Sequence, residues 1–182
     1  DSFITKLYTL KSSVDIFIDT IENQNKINLI YKIDLGEKAK IKKIYFTGDK
    51  VYKDSKLKSL IISEEYKPWK FISGKKYLNE STIQFDLKLL NNFYLNQGYY
   101  DVIINSSFAK LVDDQRFELI YNINANKKYF FNNIELKLPD DFSSDNFSEI
   151  YNLFNDLKGK PYSINRIDNI LSSLDKISTN EQ

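Results

Sequence analysis

Apolar residues alternate with polar ones along Val14, Ile16 and Ile18, and again along Ile27, Leu29, Tyr31 and Ile33, with ENQNK (22–26) between the runs. A period of two puts the apolar members on one face, so the pattern predicts an antiparallel hairpin with one buried side. GEKAK (36–40) is a short polar connection, and IKKIYFTG (41–48) predicts another strand ending at Gly48. The period then changes. Asp54 is placed as the N-cap of a short helix carrying Leu57, Leu60 and Ile61, and Pro68 and Trp69 break the pattern. From about Asn79 a longer helix carries Ile83, Leu87, Leu90 and Tyr94 on one face. Gly98 closes it, as a C′ residue of positive φ would. A second hairpin is expected from DVIINSSFAKL (101–111), a VDDQ turn (112–115) and RFELIYNIN (116–124), with Phe117, Leu119, Tyr121 and Ile123 facing inward.

The cycle restarts at YFFNNIEL (129–136), and two helical patterns follow within 140–154 and 164–174. This restart is an internal repeat. Leu29, Ile30, Tyr31 and Ile33 recur 90 residues later as Leu119, Ile120, Tyr121 and Ile123, and Ile44 recurs as Ile134. SGKKYLNESTI (73–83) likewise matches KGKPYSINRI (158–167), one residue shorter. Two matches in the same order imply duplication of one unit of order β-α-α-β-β. The expected fold is α+β, in tandem units of a three-stranded mixed sheet covered on one face by two helices. The expected boundaries are the terminal hairpin of one unit (1–35), a complete unit (36–125) and the front of a third (126–182). The third lacks its hairpin, so its helices have no complete sheet to cover.

Certain segments go further than a pattern. GEKAKIKKIYFTGDKVYKDSKL (36–57) resembles the opening of a POTRA domain of the BamA type, with Gly48, Asp49 and Tyr52 at the positions of a G-[ND]-x-x-[FY] turn. KPWKFISGKKYLN (67–79) resembles the loop between the two helices of that family's third unit. LLNNFYLNQGYYDVII (89–104) resembles its Tyr-Leu-x-x-Gly-Tyr helix ending through Tyr94, Leu95, Gly98 and Tyr99. FITKLYTLKSSV in the first unit departs from it by lacking the Gly-Tyr, and the third unit has a short acidic first helix. By analogy the chain is the end of unit two, all of unit three and most of unit four.

Composition narrows the chemistry. The 182 residues hold 26 Lys and Arg against 25 Asp and Glu, only Arg116 and Arg166 being Arg, which gives no general pull toward nucleic acid or anionic membrane. There is no Cys, His or Met. Disulfides and the common zinc, copper and haem ligand sets are therefore excluded, and no usual nucleophile–base pair can be assembled. No cofactor and no enzymatic activity are expected. The chain starts at Asp1 without a leader or a long apolar run, which fits a mature segment of a longer protein.

The resemblance implies a scaffold on the periplasmic side of the bacterial outer membrane. Its implied partners are unfolded outer-membrane β-barrel precursors, accessory lipoproteins, and a C-terminal membrane β-barrel of the same chain outside these residues. It also implies that the second strand of the middle unit lies at a sheet edge. Asp101, Val102, Ile103, Ile104, Asn105, Ser106 and Ser107 then form the candidate peptide-binding edge, taking extended clients by β-augmentation. The alternative is an edge that pairs with nothing. Pro68, Trp69 and Phe71 are a candidate partner loop, or else pack over their own helices. Residues 36–58 hold eight Lys against three acids, read as a solvated face or a patch orienting neighbouring units. Two other functions fit the fold: a related POTRA array of the TamA type, and an α/β nucleic-acid-binding repeat using that Lys patch. No nucleic acid is expected, because Arg and RNA-stacking signatures are absent.

Overall fold

The computed structural model describes residues 9–10, 13–21, 26–34, 37–69, 74–113, 116–139 and 144–180. The alternating runs are strands: β1 (Thr9–Leu10), β2 (Ser13–Ile21), β3 (Lys26–Asp34), β4 (Glu37–Lys38), β5 (Lys40–Asp49), β6 (Ile103–Asp113) and β7 (Arg116–Asn124). The helices are α1 (Asp54–Lys58), α2 (Glu80–Asn96), α3 (Ser148–Leu157) and α4 (Ile164–Asn180). β1 pairs with β4, β2 with β3, and a three-stranded sheet runs in the order β5–β7–β6. Contacts from β5 to β7 ascend together, from Tyr45 with Glu118 to Thr47 with Asn122 and Asp49 with Ala125, so these strands run parallel. β6 and β7 form a hairpin, which makes the sheet mixed. The fold is α+β.

By compactness the chain divides into Asp1–Phe46, Asp54–Asp86 and Ser106–Tyr121 on one side, and Thr47–Lys53, Leu87–Asn105 and Asn122–Gln182 on the other. In the first body Ala39 and, on β5, Ile41, Ile44 and Phe46 are buried with Leu57, Leu78 and Ile83, and with Phe117, Leu119 and Tyr121 of β7. Phe46 and Tyr121 stack with ring centroids 5.6 Å apart. Asp86 is fully buried and ties the layers together. Its carboxylate accepts the amide of Ile62 (2.6 Å) and that of Ser63 (3.3 Å), and the hydroxyl of Tyr121 (2.7 Å). Burial, and then the Asp86 charge, push the Tyr121 hydroxyl well above the usual phenol range, so it donates at every physiological pH.

The first helix is shorter than expected, ending at Lys58, with Leu60 in a turn and Ile61 beyond it. The Ser59 hydroxyl donates to the carbonyl of Lys56 at 2.7 Å, the Leu60 amide closes a tighter turn onto Leu57 O (3.1 Å), and Asp86 takes the amides of Ile62 and Ser63, so the helix does not continue. α2 begins one residue after Asn79, whose side-chain oxygen caps the amide of Thr82 at 3.0 Å. At its far end Gly98 has φ +100°, and the amide of Tyr99 reaches back to the carbonyl of Tyr94 at 3.0 Å, the six-to-one bond of a Schellman ending.

In the second body Tyr52, Phe93, Tyr94 and Tyr99 form an aromatic cluster with edge-on rings 4.9 to 6.2 Å apart. The Tyr94 hydroxyl donates to the carbonyl of Lys50. Gly48 sits at φ +82° with Ile123 O only 2.3 Å from where a Cβ would stand, so no side chain fits there. Phe147, Ile150 and Phe154 form the core of the last stretch, packed by Ile134, Leu136, Leu138, Ile170 and Leu174. Residues 133–139 alternate between exposed and half-buried as a strand would, yet among the described residues they pair with no strand. The ladder there is a single bridge, Phe130 with Pro161. Alternation orients side chains, whereas a strand also needs a neighbour to bond.

β2 and β3 pair as the expected antiparallel hairpin, with Val14 opposite Ile33, Ile16 opposite Tyr31 and Ile18 opposite Leu29, which collects the apolar residues on one face. That face is open. Ile27, Leu29, Tyr31 and Ile33 are 52–60% exposed, whereas Phe117, Leu119, Tyr121 and Ile123, their counterparts 90 residues on, are at most 2% exposed.

Candidate peptide-binding edge

A sheet edge presents a row of unpaired N–H and C=O groups, and proteins manage such edges by covering them. The outer side of β5 is covered by its own chain. Tyr66 donates its amide to Ile41 O (2.7 Å) and Leu78 to Ala39 O (2.8 Å), Lys40 bridges Tyr77, and the amide of Ile44 donates to Glu65 Oε1 (3.0 Å). Glu65 is held in place by Lys58 at 2.6 Å. Burial pushes its carboxyl up, but the Lys58 ammonium and the Ile44 amide outweigh burial and hold it below the usual carboxylate range.

β6 is the other end of the sheet, and among the described residues nothing is bonded to its outer side. Its approach explains where it starts. After the Gly98 turn, the amide of Val102 closes onto the carbonyl of Tyr99 (3.3 Å). Asp101 is held by the Asn126 amide, which donates to its carbonyl (2.6 Å), and by the Tyr129 hydroxyl, which donates to its carboxylate. Asp101 and Val102 therefore precede the strand, which begins at Ile103 and contains Ile104, Asn105, Ser106 and Ser107. Ile103 and Asn105 are exposed, while Ile104 and Ser106 are half-buried on the opposite face.

Trp69 is 70% exposed, with the Lys67 ammonium 5.9 Å from its ring centre, and Pro68 beside it is exposed too. Phe71 lies outside the described residues. The Lys patch is partly engaged by the chain itself: Lys40 lies 5.2 Å over the Tyr66 ring, Lys43 lies 5.1 Å over Tyr45, and Lys58 pairs with Glu65. Two small cavities of about 160 and 200 Å³ lie beside Glu65 and between α3 and α4. Both fall below the roughly 300 Å³ at which small-molecule sites begin. No helix among the described residues is long and apolar enough to cross a membrane.

Sequence reasoning missed two residues. Asp86 had a signal, since it stands on the apolar stripe of α2 between Ile83 and Leu90, where an acid needs partners. Glu65 had none, because its partner Ile44 is 21 residues away on a strand whose outer side the pattern does not reveal.

Residues 39–126 match the model of the POTRA family, described as a surface antigen variable number repeat. The middle repeat is a POTRA domain. The chain is similar to the outer membrane protein assembly factor BamA of Neisseria meningitidis serogroup B, 30% identical over 97 residues that cover 53% of this chain and 12% of that protein. It is also similar to BamA of Buchnera aphidicola, 24% identical over 146 residues covering 73% of this chain and 24% of that protein. The chain thus spans less than a quarter of the length of these relatives. In fold it resembles the crystal structure of Haemophilus influenzae BamA POTRA3–5, with a TM-score of 0.58 at 11% identity, covering 96% of this chain and 65% of that one.

Proposed function

We propose that this POTRA segment belongs to a periplasmic scaffold of outer-membrane protein assembly, and that it receives unfolded β-barrel precursors by strand addition to β6. The observation that supports this most is the contrast between the sheet's two ends: β5 is closed by Glu65, Tyr66 and Leu78, and β6 is left open. Each backbone hydrogen bond to a client contributes about 0.5–1.5 kcal/mol net, so a short pairing gives weak, reversible capture without reading the client's sequence. Such capture requires no cofactor and no catalysis. In this reading the membrane β-barrel lies elsewhere in the same protein, and nucleic acid is not a partner.

Residues 1–35 end a preceding POTRA unit, 36–125 form a complete one, and 126–182 open the next. The open apolar face of β2–β3, whose Leu29, Tyr31 and Ile33 match the covered Leu119, Tyr121 and Ile123 of β7, supports the first boundary. The exposed Trp69 and Pro68, continuing toward Phe71, favour a second contact surface for an accessory lipoprotein, since exposed Trp anchors are frequent interface hot spots.

The test is NMR titration of the labelled chain with extended peptides taken from barrel strands. Amide shifts concentrated in 103–107, and lost in Ile103→Pro while the signals of β7 stay native, are the expected result. Absence of shifts at millimolar peptide in the folded chain overturns the strand-addition reading.

A further inference from the structure

The last residue of α2 makes bonds outside its own helix. Asn96 Nδ2 donates back to the carbonyl of Asn92 (2.8 Å), one turn earlier in the same helix. The amide is thereby oriented with Oδ1 toward the start of α4. There Oδ1 accepts the backbone amide of Asn165 (2.9 Å) and the hydroxyl of Ser163 (2.7 Å). Ser163 is the residue just before the helix, whose own oxygen would ordinarily cap the first amides. Its hydroxyl donates instead, and Asn96 of the preceding repeat supplies the cap.

Further contacts surround this one. The ring of Tyr100 meets those of Tyr129 and Tyr162 edge-on, with centroids 6.0 and 5.1 Å apart. The amide of Tyr129 donates to Gly98 O (2.8 Å), and the amide of Tyr162 to Tyr129 O (2.9 Å). A Cβ on Gly98 would stand 3.1 Å from Tyr129 O, so that close backbone approach depends on glycine. Asp101 is gripped by Asn126 and Tyr129. The end of the middle repeat and the start of the next lie within one compact body, although the sequence repeat divides them near Ala125.

We propose that Asn96, Tyr100 and Asp101 form a fixed coupling that sets the orientation of the following repeat on the end of α2. Through Asp101 the coupling also reaches the residue that leads into β6. This last point rests on the strand-addition reading, whereas the coupling itself does not.

The chain has no Cys, so cysteines introduced as Lys88→Cys on α2 and Lys176→Cys on α4, both exposed, carry the only spin labels. Pulsed electron resonance on the peptide-free chain then reads the distance between the helices. The expected result is one narrow distribution in the parent, loss of that narrowness in Asn96→Ala, and its recovery in Asn96→Asp, which keeps the acceptor oxygen. A broad parent distribution, or an Asn96→Ala distribution as narrow as the parent's with helix content intact, overturns the coupling. Where Asn96→Ala loses helix content, Tyr129→Phe decides, because it removes one hydroxyl: broadening supports the coupling and parental width overturns it. A failed peptide titration with a narrow distribution removes the edge reading and leaves the coupling standing.

Discussion

Along the outer side of β5 the amide of Ile44 is bonded to Glu65, and the carbonyls of Ala39 and Ile41 to Leu78 and Tyr66. Across the same sheet, no described residue closes the outer side of β6. Glu65, Tyr66 and Leu78 therefore do more than link two helices: they place a carboxylate and two amides where a foreign strand would otherwise pair. The comparison teaches that openness at β6 is a local choice of this chain, because the other edge of the same sheet is covered.

The broadest way to break the comparison is to remove the tie that holds the covering loop. Asp86→Ala leaves the amides of Ile62 and Ser63 and the hydroxyl of Tyr121 without their acceptor. At about 1–3 kcal/mol per stranded buried group, the cost is expected to reach about 3 kcal/mol or more, and denaturant melts should show the middle repeat losing most of its stability.

A narrower change sharpens it. Glu65→Ala strips one acceptor from Ile44 and should cost about 1–3 kcal/mol in the same melts, while giving peptides a second edge along β5 in the titration. Acid should act in the same direction and more weakly. The folded carboxyl of Glu65 is held below its ordinary value of 4.5, so its stabilising contribution is complete above that value. The contribution falls as pH drops through the lower folded value, and it is gone below both. Melts of Glu65→Gln against the parent across that range should converge at low pH.

Much of the fold was legible because it depends on local chemistry. Gly98 could be assigned a positive φ since a helix running through Tyr94 and Leu95 into Gly-Tyr needs a left-handed residue there, and φ is +100°. The strands β2, β3 and β7 follow from alternation, and the repeat follows from Leu29–Tyr31 and Leu119–Tyr121. What alternation leaves open is what lies on top. The face of Leu29 and Tyr31 is bare and that of Leu119 and Tyr121 is sealed, although the residues are identical. For the same reason the stretch around Ile134 alternates like a strand without pairing as one. The shortness of α1 and the covering of β5 were hidden more deeply, since Asp86 and Glu65 act on backbone amides more than 20 residues away. At the candidate edge the sequence pattern put Asp101 and Val102 inside the strand, whereas the strand begins at Ile103. Their exclusion was not legible, because Asn126 and Tyr129, which lie beyond β7 in the chain, hold Asp101.

Amide hydrogen exchange across β6, with and without a saturating extended peptide, tests the open edge most directly. Backbone N–H groups of alternate residues point to the same side of a strand, so strand addition predicts new protection at every second amide from Ile103 to Ser107. The amides of Ile44 and its neighbours on β5 should be unchanged. Protection spread evenly over β6, confined to the Trp69 loop, or absent would contradict the account.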